Sequence, residues 1–312
     1  MQRVTDERGT VAVVVALLMV PLLAFGAISL DVAAMYSDKQ KLQIGADAGA
    51  LAIAQVCAKT TCTPAGATAV AQPLAEGNLP GGAPTAAVTS LTSSKVTVAT
   101  SVVRQHVFAR VLGENSKTLS ARSTVMWGAP ISGTAVLPLA FSWCEWYQQT
   151  GGAMPSGTTA RTVYFSKTSG TTDCTGPSGN VVPGGFGWIT TNASSCQAST
   201  AIDAVLHSDP GSSMPNSCSA SDLSAVHHKT VLLPIYDESY GSGSGATYVM
   251  YGYAAFTVTG YDFGGQNRWN SPCNGNDRCI RGYFSRMVDL SESFTLGPNA
   301  PSLGADLIRM TT

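Results

Sequence analysis

The sequence predicts an α+β fold in which one long amino-terminal helix carries a β-rich, disulfide-linked head. Three observations lead to this prediction. First, Thr10 to Leu30 form an uncharged run of 21 residues, and an alanine-rich segment without proline continues it to Ala58. Second, apolar and polar residues alternate in several segments after Lys95, which is typical of half-buried strands. Third, all eight cysteines lie after position 56.

The uncharged run is long enough to cross a membrane. At ~1.5 Å per residue, a helix over residues 10–30 spans the ~30 Å hydrocarbon core of a bilayer. We therefore predict a transmembrane helix that ends at Asp31 and is preceded by a short cytoplasmic lead, residues 1–9. Lysine and arginine flank the run equally, two on each side, so the positive-inside rule does not decide the orientation.

A cleaved secretory signal is the alternative interpretation of the same run. Arg8, the apolar stretch and the small residues Ala24 and Gly26 supply the three parts of such a signal. However, the run exceeds the roughly 7–15 residues of a signal core, and the helical pattern continues without a break. This comparison favours an uncleaved membrane anchor, whereas cleavage would release the head.

Residues 31–58 are predicted to form an amphipathic extension of the helix with a stripe of small residues. A spacing of four residues places these side chains on one face of a helix. Such a face either packs against the core of the same protein, which we favour, or forms an interface with a partner helix. The stripe consists of Gly45, Ala46, Gly49, Ala50 and Ala54.

Residues 59–130 are predicted to form a loop followed by a strand–helix–strand unit. Proline and glycine recur in the first part and predict a loop with at most one helical turn, around residues 67–75. Alternation then predicts strands over 95–103 and 118–127, and helical spacing of apolar residues predicts a short helix over 105–112. We expect this unit to cover the apolar face of the long helix.

The remainder, residues 131–312, is predicted to be a β-rich, cysteine-containing extracytoplasmic domain. Short runs of aromatic and β-branched residues stand between clusters of glycine, serine and proline, as expected of strands and turns. The last residues, 297–312, are predicted to form a loosely held tail. The predicted strands are 161–167, 186–190, 230–236, 246–261 and 279–294.

The cysteines predict disulfides. An even number of cysteines in an exported domain is typical of disulfides, whereas a zinc site needs close ligand pairs that are matched by further cysteines or histidines. Disulfides also require an oxidising compartment, which places the bulk of the chain outside the cytoplasm. The pairing stays open, although the short spacings favour Cys57 with Cys62 and Cys273 with Cys279. The candidates are Cys57, Cys62, Cys144, Cys174, Cys196, Cys218, Cys273 and Cys279.

The charge balance argues against nucleic-acid binding. Only 12% of the residues are charged, and the formal net charge is −1. Proteins that bind nucleic acids through phosphate contacts have a basic surface, and this chain has no such excess of lysine and arginine. We therefore expect no nucleic-acid partner.

The sequence predicts no catalytic residue, no metal site and no cofactor. His207, His227 and His228 are the only basis for a secreted hydrolase, and isolated histidines at strand edges are usually solvated. Trp143, Trp146 and Tyr147, which flank Cys144, would form either a groove for carbohydrate or peptide or the packing around a disulfide. We favour a protein that binds partners and is not an enzyme.

The amino-terminal segment carries a specific pattern of residues. It comprises Arg8-Gly9, the apolar run, Leu30-Asp31-Val32, Tyr36, Lys41-Leu42-Gln43 and the segment ADAGALA at 46–52. This pattern resembles the amino-terminal region of the bacterial TadE/TadG-like family of tight-adherence (Flp) pilus assembly proteins. The segment FARVLG at 108–113 is similar to a further part of the family pattern.

The resemblance implies a single-pass cell-membrane protein that works as a non-enzymatic assembly component of a tight-adherence pilus or secretion apparatus. Its partners would be the lipid bilayer and other pilus-assembly or secretion proteins. The pseudopilin relatives carry Glu five residues after a cleaved Gly. Here Val14 stands five residues after Gly9, which argues against cleavage of this kind. The alternatives are a secreted or surface-anchored adhesin or binding protein, and a secreted hydrolase.

Overall fold

The structure is a computed structural model. In it the chain forms two compact units. Unit 1 comprises residues 1–126 with 310–312, and unit 2 comprises residues 127–309. The chain is 28% helix and 39% strand, and the α+β prediction of a long helix with a β-rich remainder is confirmed. The structure describes residues 7–165, 173–209, 211–242, 245–289, 293–297 and 300–311.

Unit 1 begins with one unbroken helix, α1, Glu7–Cys57. None of residues 11–30 is buried, whereas burial begins at Asp31 and then recurs along one face. The helix therefore has an exposed apolar half and a packed half, and they meet at Asp31. The first six residues of the predicted lead lie outside the described residues.

The predicted loop after α1 contains a second helix, α2, Pro64–Asn78, so the prediction of at most one helical turn is wrong. Thr63 caps this helix, because its hydroxyl accepts a hydrogen bond from the N–H of Gly66 at 3.2 Å. Pro64 occupies the first turn, where its missing N–H costs nothing. Buried alanines at four-residue spacing hold α2 in place: Ala67, Ala71 and Ala75.

Three consecutive antiparallel strands complete unit 1. They are β1 Thr85–Leu91, β2 Lys95–Gln105 and β3 Ser116–Gly128, and β2 lies in the middle. The two predicted strands lie within β2 and β3. The helix predicted over 105–112 is only the 3-10 helix Ala109–Leu112, because β2 continues to Gln105.

Unit 2 is mostly strands. Its described residues include the helices α3 Trp143–Thr150 and α4 Ala220–Ser224. The strands from residue 130 onwards are β4 Pro130–Ala135, β5 Leu139–Ser142, β6 Arg161–Tyr164, β7 Cys174–Thr175, β8 Val181–Val182, β9 Phe186–Trp188, β10 Ala198–Ala201, β11 Val205–His207, β12 Thr230–Tyr240, β13 Thr247–Asp262, β14 Arg268–Trp269, β15 Cys279–Ser285, β16 Met287–Asp289, β17 Phe294–Leu296 and β18 Ala305–Thr311. The last two residues of β18 belong to unit 1.

The main sheet of unit 2 is built around the long strands β12 and β13. Its order is β6-β15-β13-β12-β5-β9, and β11 and β14 also pair with β13. Among its strands in the described part of the chain, β12 pairs with β5 in parallel, and the other strand pairs are antiparallel. A smaller sheet has the order β10-β4-β17. Aromatic side chains fill the core beneath the main sheet, among them Phe141, Phe186, Phe256 and Phe284.

Two predictions for the end of the chain need correction. The sequence predicts one strand over 279–294, but the segment contains β15, β16 and the first residue of β17. Residues 290–292 lie outside the described residues. The tail predicted at 297–312 contains β18, which pairs with β16 in parallel. Ala305, Leu307 and Ile308 are buried, so an apolar pattern holds this segment despite the turn residues before it.

Candidate functional site

The stripe of small residues on α1 faces α2 and the sheet of unit 1. Ala46, Ala50 and Ala54 are fully buried. A Cβ atom on Gly45 would lie 3.1 Å from the Cα of Ala75, and one on Gly49 would lie 3.2 Å from the Cβ of Ala71. The two helices therefore pack with their backbones in close contact. α2 covers the face of α1 that was the candidate interface for a partner helix.

Polar contacts fix α1 along the sheet. The Thr100 hydroxyl on β2 donates a hydrogen bond to the Leu42 carbonyl at 2.9 Å, and this contact is buried. The Gln43 amide donates to the Arg122 carbonyl on β3 at 3.0 Å. These bonds set the position of the helix along its axis, because each pairs one residue of α1 with one strand position.

The most specific contact of α1 is made by Asp31, where the exposed apolar half ends. Its carboxylate is buried and accepts three backbone hydrogen bonds, from the N–H groups of Val107 at 3.0 Å, Phe108 at 2.9 Å and Ala109 at 2.8 Å. We call this set of contacts the Asp31 junction. It ties the loop between β2 and β3 to the end of the apolar run.

The Asp31 junction favours a charged carboxylate. The hydrogen bond from the Ala109 N–H contributes most, and those from Val107 and Phe108 add to it, so the pKa of Asp31 lies below its ordinary value. Two turns further along α1, Asp38 forms an ion pair with Arg104 of β2 at 2.9 Å. The sequence marks Asp31 as the end of the apolar run and as part of the family pattern, and it predicts a solvent-facing side chain, whereas the carboxylate is buried. A charged residue directly after such a run was the one available signal.

The eight cysteines form four disulfides. The two local pairs favoured by spacing, Cys57–Cys62 and Cys273–Cys279, are both present. The first closes the turn between α1 and α2. The other two pairs are Cys144–Cys174 and Cys196–Cys218, with sequence separations of 30 and 22 residues. Cysteine spacing does not predict these two pairs, because cysteines that are far apart in the sequence have many possible partners.

The three histidines do not form one site. His207 pairs with Thr247 at one end of β13, and the His228 N–H bonds the Val258 carbonyl near the other end. Eleven strand residues separate these positions, which is roughly 35 Å. The His227 ring stacks on Trp269 with centroids 3.9 Å apart. The geometry therefore gives no support to a hydrolase that uses these histidines together.

The aromatic residues around Cys144 are largely packing residues. Trp146 is buried, and its indole N–H donates to the Leu303 carbonyl at 3.0 Å. Trp143 packs against it with ring centroids 4.8 Å apart. Only Tyr147 is exposed among the three, so the group does not form an aromatic groove.

Unit 2 also has two neighbouring surface cavities, of about 370 and 430 Å³. Both are lined by Val136, Ala225 and Val226. The first is mainly apolar, with Lys229 as its charged residue, and the second is lined by serines and by Asp222. Within the described ranges, no three histidine, cysteine or acidic side chains are grouped as a metal site requires.

One helix in the described part of the chain is long and apolar enough to cross a membrane, and it is α1. Its most apolar window of 18 residues has no buried position. Comparison with known protein families gives a match on this helix. No curated protein and no solved structure matches the chain significantly. Residues 9–56, which include the apolar run, the Asp31 position and the small-residue stripe, match the family described as "Putative Flp pilus-assembly TadE/G-like".

Proposed function

We propose that this protein is a membrane-anchored, non-enzymatic assembly component of a tight-adherence (Flp) pilus or secretion apparatus. The single observation that carries the proposal is α1. Its matched segment joins an exposed apolar half directly to a half that packs into unit 1. An unbroken helix transmits position and orientation, so a folded unit is held at a fixed place relative to the bilayer.

The proposed mechanism is binding without turnover. The apolar half of α1 contacts the lipid bilayer, and the head presents its surface to other pilus-assembly or secretion proteins. Four disulfides favour an oxidising compartment for the head. We therefore propose a single-pass cell-membrane protein with residues 1–9 in the cytoplasm, residues 10–30 in the membrane and the bulk of the chain on the extracytoplasmic side.

Deletion and complementation test this proposal. We expect deletion of the gene to abolish surface pili, and the full chain to restore them. A matched variant replaces residues 1–30 with a cleavable secretory signal, so that the same head is released. We expect this variant to fold, to form its disulfides and to leave the cells without pili. Normal piliation after deletion would contradict the proposal.

An adhesin is the alternative, and it differs from the first proposal only in its partner. The same deletion strain separates the two functions. An adhesin predicts normal numbers of pili together with reduced attachment of cells to surfaces. An assembly component predicts that both are lost together.

A further inference from the structure

The loop between β2 and β3, residues 106–115, exposes large apolar side chains close together. The exposed fractions are 65% for Val107, 42% for Phe108 and 89% for Val111. Isolated exposed apolar residues are normal on a protein surface, but three within five residues form a patch that favours contact with another apolar phase.

The Asp31 junction places this patch at the end of the apolar run. The carboxylate accepts hydrogen bonds from the N–H groups of Val107 and Phe108 themselves. Asp31 is the first residue after Leu30, the last residue of the uncharged run. The loop therefore lies beside the level at which the proposed spanning segment leaves the hydrocarbon core.

The register of α1 against β2 gives the same orientation. Asp31 contacts the loop after β2, Leu42 contacts Thr100, and a Cβ atom on Gly49 would lie 3.7 Å from Val98. The helix thus runs antiparallel to β2. The β2–β3 loop is the end of the sheet nearest the apolar run, and the β1–β2 turn is the opposite end.

The surroundings of the patch have the composition of a membrane interface. Tyr36 and Val32 on α1 are exposed, at 66% and 53%. Tyrosine prefers the headgroup level of a bilayer, and arginine near it extends its charge towards phosphate. The loop contains Arg110, which is hydrogen bonded to Gln105 at 3.3 Å. Apolar, aromatic and basic groups therefore meet at one level.

We infer that the β2–β3 loop enters the interfacial layer of the bilayer beside α1, with Val107, Phe108 and Val111 in contact with lipid. The inference rests on the proposed membrane anchor, and it adds a second contact between unit 1 and the membrane. Anchoring residues at the interface set the tilt and rotation of a spanning helix. Two contacts on one compact unit restrict its orientation to the bilayer more than a single helix does.

Photo-crosslinking to lipid tests this inference on the full chain. The photoreactive residue p-benzoylphenylalanine replaces Val111, and the protein is reconstituted into vesicles of phosphatidylcholine and phosphatidylglycerol. The control replaces Ser93, which is exposed in the β1–β2 turn. That turn lies about 35 Å away along the 11 residues of β2. A positive control replaces Leu18, which is 55% exposed in the apolar run.

We expect lipid adducts at positions 18 and 111 and none at position 93. Vesicles that float with the protein and give an adduct at 18 but none at 111 would overturn the loop inference and leave the anchor intact. An adduct at 111 to a second copy of the chain in place of lipid would also overturn it. Protein that does not float with the vesicles would contradict the proposed anchor, and the loop inference with it.

Discussion

At the scale of single residues, Asp31 explains how an exposed apolar helix continues into a folded unit. A buried carboxylate is costly unless its oxygens are hydrogen bonded. Here the three backbone N–H groups of residues 107–109 satisfy it. These partners follow Asp31 by 76 to 78 residues, so no local pattern could predict them. The sequence shows that a charged residue follows the apolar run, but it does not show which groups this residue contacts.

Replacing Asp31 by Asn tests the Asp31 junction. Asn keeps one acceptor oxygen but loses the charge and the second oxygen, so the N–H groups of residues 107–109 lose partners. We expect faster amide hydrogen exchange at these three residues, measured by NMR in detergent. The matched control is Asp47→Asn, because Asp47 accepts a hydrogen bond only from the Gln43 side chain among its described contacts. Unchanged exchange in Asp31→Asn would contradict the assigned role.

The same residue predicts a pH dependence. Because the pKa of Asp31 is lowered in the folded protein, its charged form stabilises the fold above the ordinary pKa of an aspartate. This stabilisation is lost as the pH falls through the lowered value. We expect exchange protection of residues 107–109 to decrease at acid pH in the wild type, after correction for intrinsic rates. In Asp31→Asn this part of the pH dependence should be absent.

At the scale of elements, α1 and α2 show where sequence patterns were sufficient. The four-residue spacing of small residues on α1 is visible in the sequence, and in the structure α2 and β2 lie against this face. The same spacing of Ala67, Ala71 and Ala75 in α2 was obscured by the surrounding proline and glycine. Proline is favoured in the first turn of a helix but ends a helix elsewhere. Whether a proline-containing segment forms a helix therefore depends on the surface against which it packs.

Close packing of α1 on α2 predicts a strong effect of side-chain size. We expect Gly49→Leu to lower the free energy of unfolding by roughly 1–3 kcal/mol, because a new side chain must displace Ala71. The matched control is Gly77→Leu in α2, where a Cβ atom meets nothing within 4 Å. Its higher helix propensity should leave stability unchanged or raise it by up to about 1 kcal/mol. Denaturation followed by circular dichroism measures both, and equal effects would contradict the packing.

The disulfides of unit 2 should differ in their contributions. Loss of Cys144–Cys174, with a separation of 30 residues, should lower stability by about 3.5 kcal/mol through chain entropy. Loss of Cys273–Cys279, with a separation of 6, should cost only about 2 kcal/mol. The five tryptophans lie within residues 127–309, with Trp127 at the end of β3 and the other four outside it. Their fluorescence during denaturant unfolding of the two double Cys→Ala variants therefore measures the difference. The reverse order would contradict this ranking.

At the scale of the whole molecule, the sequence predicts the fold class better than it predicts which distant segments pair with each other. The helix, the strands and the disulfides follow from local periodicity and cysteine count. The parallel pairing of β18 with β16 joins two separate segments of the chain, so local patterns predict only a loose tail at its end. The Cys144–Cys174 and Cys196–Cys218 pairs depend on strand order in the same way.

The central claim is that α1 anchors an intact, disulfide-linked chain in a membrane. The most direct measurement is the intact mass of the protein from the membrane and soluble fractions of cells, under non-reducing conditions. We predict a membrane-bound chain that retains residues 10–30, with a mass lowered by eight hydrogen atoms, two for each of four disulfides. A soluble species whose mass corresponds to a chain that starts near Ala27 would contradict the claim, because it would show that the apolar run is a cleaved signal.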